Sequence, residues 1–116
     1  VFASDGVWDN LNSQDILRIV SLRMTALQAW RVGDNGMILD DAFGRLTDYD
    51  EAEVSQVDTL QGLLAASIAG EAKMASLDIR RNGPFAKEVR RYFPGENWDG
   101  GKPDDICVIV CVVLQP

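Results

Sequence analysis

Ile106-Cys107-Val108-Ile109-Val110-Cys111-Val112-Val113-Leu114 is an unbroken apolar run, rich in the β-branched residues that suit a pleated strand. At a period of two, Ile106, Val108, Val110 and Val112 line one face, and Cys107, Ile109, Cys111 and Val113 line the other. A strand apolar on both faces belongs inside a layered structure, covered on each side by helices or a second sheet. Val1-Phe2-Ala3-Ser4 reads as the end of another buried strand, stopped by Asp5-Gly6, a dipeptide typical of turns. Helical periodicity lies between the two. The order strand, helices, strand predicts an α/β layered domain.

Outward from these strands, Asn12 or Ser13 is placed to cap a helix, with Asp15 in its first turn. Ile16, Ile19, Val20, Met24, Leu27 and Trp30 then form one broad apolar stripe, interrupted by Arg23. Residues 33–58, from Gly33 to Asp58, hold several glycines among many acids and show no sustained period. They read as an exposed surface insertion with a short helix near Glu51–Val54. A second helix carries Val57, Leu60, Leu64 and Ile68 on one face with Leu63 beside them. It runs through an Ala-rich stretch and is predicted to end near Arg80-Arg81, before Asn82-Gly83-Pro84. Phe85 to Tyr92 makes one more short helix, and Pro94 to Pro103 a Gly-rich loop.

Composition narrows the function. The chain has 116 residues, 47% of them hydrophobic, and a formal net charge of −7. A nucleic-acid surface needs clustered Lys and Arg, and the acidic balance argues against one. No apolar run reaches the length of a membrane span, and no signal-peptide pattern opens the chain. The opening on Val1 in mid-strand is read as that of a fragment. Cys107 and Cys111 share a strand face about 13 Å apart, beyond the roughly 7 Å that a disulfide spans. They are expected to be small buried hydrophobes, in keeping with a reducing compartment. Histidine is absent. Ser-His-Asp and Cys-His catalysis and His-containing zinc sites are therefore excluded within this segment, and any chemistry rests on carboxylates. Residues 95–103 fail the phosphate-loop pattern, with Glu96 at its first Gly and Pro103 at its Ser or Thr.

Two carboxylate motifs stand at strand ends. Asp5 follows the first strand, and Asp104-Asp105 precedes the last. If those strands are antiparallel neighbours, the carboxylates converge. Two unit charges roughly 4 Å apart repel by about 4 kcal/mol at an effective dielectric near 20, so the pair calls for a cation. Without histidine, the cation expected is a hard, oxygen-loving one such as Mg²⁺ or Mn²⁺.

The residues around these motifs add a family. Phe2-Ala3-Ser4-Asp5-Gly6-Val7-Trp8-Asp9-Asn10-Leu11 resembles the segment of the metal-dependent (type 2C) serine/threonine protein phosphatases in which a strand runs into Asp-Gly, followed by an aromatic, Asp and a helix. Gly100-Gly101-Lys102-Pro103-Asp104-Asp105, leading into Ile106-Cys107-Val108-Ile109-Val110, is similar to the family's closing motif, and Pro84-Phe85-Ala86 looks like the one before it. The resemblance spans almost the whole chain. It implies the C-terminal part of an α-β-β-α sandwich, residues 1–116 being the second half of one catalytic domain and 33–58 an insertion within it. It also implies hydrolysis of phosphoserine and phosphothreonine in a phosphoprotein substrate, by water activated at a two-metal centre of Mn²⁺ or Mg²⁺. Asp5 and Asp104 match metal ligands, with Gly6 and Asp105 supporting them. The bridging Asp, the Asp-Gly-His-Gly motif, a Glu ligand and the phosphate-holding Arg are implied upstream of Val1. The segment is expected to be inactive alone, and the protein monomeric. The Gly-Gly-Lys-Pro-Asp-Asp form most resembles a branch whose members are often mitochondrial; a cytoplasmic location is the other expectation. A non-catalytic interaction module or a degenerate phosphatase-like product is the alternative.

Overall fold

Strands from the two ends of the chain meet first. β1 (Phe2–Ala3) pairs antiparallel with β4 (Val108–Ile109), Phe2 opposite Ile109 and Ala3 opposite Val108. This arrangement comes from a computed structural model that describes residues 1–48 and 58–113. The Ser4 N–H donates to the Cys107 carbonyl at 3.0 Å, carrying the pairing one step further. The condition on which the carboxylates were expected to converge is therefore met.

Asp5-Gly6 is not a turn. It opens α1 (Asp5–Trp8), a single helical turn. α2 (Ser13–Ala26) starts at Asn12 with a complete capping box: the Asn12 side chain accepts from the Asp15 N–H, and the Asp15 carboxylate accepts from the Asn12 N–H. Its buried stripe is Ile16, Ile19 and Met24, and Arg23 is exposed. The helix ends four residues before Trp30, with Gln28 at φ 53° turning the chain. Trp30 belongs instead to β2 (Trp30–Gly33), which forms a hairpin with β3 (Gly36–Leu39) across Asp34-Asn35. Gly36, at φ 121°, takes a conformation that suits glycine at the close of this two-residue loop. The expected surface insertion, residues 33–58, thus holds the second strand of this hairpin, followed by α3 (Phe43–Thr47). The short helix expected near Glu51–Val54 lies outside the described residues.

α4 (Leu60–Leu77) is capped by Thr59, whose hydroxyl accepts from the Gly62 N–H. It ends before Arg80-Arg81, and the chain turns through Asp78, whose carbonyl accepts from the Arg81 N–H. α5 (Pro84–Tyr92) begins with Pro84, whose missing N–H costs nothing at a helix start. The Phe85 N–H donates to the Asp9 carbonyl at 2.8 Å, tying α5 to the end of α1.

Two apolar clusters hold these elements. Val7, Leu11, Ile16, Ile19, Ile68, Ala72 and Ala75 form one, with Ala3, Ile106, Val108 and Val110 packed against it. Met24, Ala29, Leu60 and Leu64 form the other, joined by Trp30, Phe43 and Leu46. α2 and α4 thus cover the sheet face that carries Ala3 and Val108. The opposite face is bare: Phe2, Ile109 and Val113 are 68%, 55% and 92% exposed. Cys107 and Cys111 are exposed on it, which corrects the expectation that they are buried. The apolar run 106–113 is therefore packed on one side only, not on both, and only Val108–Ile109 of it pair as a strand. The chain exposes 8226 Å², against roughly 6300 Å² for a compact monomer of its mass.

Candidate metal centre

Ser4 sets the geometry of the site. Its Oγ donates to the Asp105 carbonyl at 3.0 Å and accepts from the Cys107 N–H at 3.0 Å. One hydroxyl therefore fastens the residue before Asp5 to the residue after Asp104. Gly6 is buried, and a Cβ there would overlap the Asp105 carbonyl oxygen and crowd the Ile106 side chain. Gly6 was expected for a tight turn. Its structural reason is this close backbone approach, since it sits within a helix.

On the other side of Asp104, Asn10 does similar work. It is 0% exposed. Its Oδ1 accepts from the Lys102 N–H at 2.8 Å, while its Nδ2 donates to the Lys102 carbonyl and to the Gly6 carbonyl, each at 2.9 Å. The Asn10 backbone carbonyl accepts two bonds from the Arg81 guanidinium, which also reaches the Asp15 carboxylate at 3.0 Å. Two glycines let the loop come this close. Gly100, at φ 130°, donates to the Arg81 carbonyl, and a Cβ on Gly101 would overlap the Ala75 carbonyl oxygen at the end of α4.

Asp5, Asp104 and Asp105 are all exposed at this end of the β1–β4 pair. One Asp104 oxygen accepts from the Asp105 N–H at 2.8 Å, which orients the carboxylate. The Lys102 ammonium lies 3.2 Å from the Asp9 carboxylate and 5.7 Å from the centre of the Phe85 ring. Its hydrogen bond to Asp9, then the Asp9 charge, hold its pKa above the ordinary lysine value, and the charges of Asp104 and Asp5 add to this. Both candidate ligands thus act on one cationic position.

The donor set fits part of a hard-cation shell. Mg²⁺ and Mn²⁺ take oxygen ligands and often keep several waters, and two exposed carboxylates suit that chemistry. Among the described residues no three His, Cys, Asp or Glu side chains gather as a metal-holding group. Asp5 and Asp104, the expected ligands, are therefore not part of such a group among the described residues.

Sequence reasoning missed Ser4 and Asn10. The signal for Asn10 was present: Val7, Asn10 and Leu11 have the spacing of one helical face, and a polar residue among core positions needs partners. Asp9 and Lys102 lie in motifs far apart in the sequence, and only the fold pairs them. Trp8 and Trp98 are 40% and 45% exposed. The Trp8 indole N–H donates to the Ala3 carbonyl, and Trp98 meets Phe85 edge-on.

Among the described residues no helix is long and apolar enough to cross a membrane. No family model matches the chain, and no solved structure matches it. The chain is 26% identical over 115 residues to the 5-azacytidine resistance protein azr1 of Schizosaccharomyces pombe, a match covering 99% of this chain and 29% of that protein. The chain thus spans less than a third of the length of the curated relative it matches.

Proposed function

We propose that this chain is the closing part of the catalytic domain of a metal-dependent, type 2C serine/threonine protein phosphatase, contributing Asp5 and Asp104 as ligands for Mn²⁺ or Mg²⁺. The observation that carries the reading is the antiparallel pairing of β1 with β4. It places two carboxylate-bearing strand ends side by side, with Gly6 tight against the Asp105 carbonyl. The remaining ligands and the contacts to the phosphate are assigned to other parts of the same polypeptide. When bound, a divalent cation supplies charge neutralisation at the phosphate and lowers the pKa of an attacking water. The residues of this chain hold the two carboxylates in place. The bare face of the β1–β4 pair supports the same reading, because a sandwich covers it with a second sheet.

The test is made on the full-length protein that carries the chain. Mn²⁺-dependent hydrolysis of a phosphoserine or phosphothreonine peptide falls in Asp5→Asn and in Asp104→Asn. The loss exceeds the roughly 10–100-fold typical of removing a group that only supports a ligand. Unchanged turnover in both variants removes the site and leaves the non-catalytic alternative, an interaction module built on this part of the fold.

A further inference from the structure

We propose that Ser4 and Asn10 are positioning residues that clamp Asp104 from both sides and so set it against Asp5; this rests on the metal-site reading above. Asp104 lies in an exposed loop, and an unrestrained loop places a ligand poorly. Two residues before it, the Lys102 peptide is gripped through both its N–H and its carbonyl by the Asn10 amide. One residue after it, the Asp105 carbonyl accepts from the Ser4 hydroxyl, which also accepts from Cys107. Ser4 and Asn10 flank α1, whose first residue is Asp5. The same short segment therefore carries one candidate ligand and grips the backbone on either side of the other. An amide buried to 0% exposure and bonded to three backbone groups has little freedom to relax.

The clamp is tested by titrating Mn²⁺ into the full-length protein by calorimetry, without substrate, alongside thermal melting. Ser4→Ala and Asn10→Asp raise the Mn²⁺ dissociation constant by about 10–100-fold, the range for groups that orient a ligand. Ser4→Thr keeps the hydroxyl and stays near the parent value. Leu64→Ala, in the second apolar cluster, lowers the melting temperature and leaves the constant unchanged. Ser4 is only part-buried, so its variant remains informative if Asn10→Asp does not fold. Parent-like Mn²⁺ affinity in Ser4→Ala overturns the clamp. Asp5→Asn, run in parallel, separates the two failures: lost affinity there with unchanged Ser4→Ala rejects only the clamp, whereas unchanged affinity in Asp5→Asn rejects the site and the clamp with it.

Discussion

Gly6 and Gly101 show what a single missing Cβ does here. Neither has the positive φ that would make glycine a conformational necessity. Each lies where two backbones nearly touch: Gly6 on the Asp105 carbonyl, and Gly101 on the Ala75 carbonyl. Neither neighbour is a flexible side chain that can swing aside, so the backbone itself has to move. Gly6→Ala is expected to destabilise by about 1–3 kcal/mol, the usual cost of overpacking. On the proposed function it also weakens Mn²⁺ binding, because the displaced segment is the one bearing Asp104. Gly101→Ala should cost as much in stability, and paired denaturant and Mn²⁺ titrations compare the two. Equal stability of parent and Gly6→Ala would contradict the close approach.

Among the elements, α2 and α4 carry the packing, and they respond to different substitutions. Ile68 is fully buried at the centre of the first cluster. Ile68→Ala is expected to cost about 2–5 kcal/mol, from lost burial and the cavity left behind. Asn12→Ala removes the cap of α2 and is expected to cost about 1 kcal/mol. Chemical denaturation of the full-length protein should rank the two in that order; a larger loss for Asn12→Ala would reverse it. The caps and apolar stripes that mark these helices were visible in the sequence, because both are local patterns. The β2–β3 hairpin was missed. Its turn, Asp34-Asn35, lies between short strands whose residues mostly remain exposed, so no alternation of apolar and polar residues announced it.

The whole molecule is asymmetric. Helices cover one face of the β1–β4 pair, while Phe2, Ile109 and Val113 lie open on the other. The radius of gyration is 17.0 Å, against about 13 Å for a compact domain of 100 residues. On the proposed function, a second sheet from the same polypeptide closes this face. Cys107 and Cys111 report on that closure, since both are exposed there. In the native full-length protein both thiols are expected to resist alkylation, and to react once denaturant is added. Rapid alkylation under native conditions would show that the face stays open to solvent.

The sequence by itself determined the capped start of α2, the apolar stripe of α4, the proline-led start of α5 and the chemical types at two strand ends. Each of these follows from neighbours a few residues apart. Only the tertiary structure decided that Phe2 faces Ile109, that Ser4 and Asn10 hold the loop around Asp104, and that one sheet face is bare. Those contacts join residues about a hundred positions apart, and they depend on which backbones approach closely enough to share hydrogen bonds. A period of two says that a strand has two apolar faces; only packing says which of them is covered.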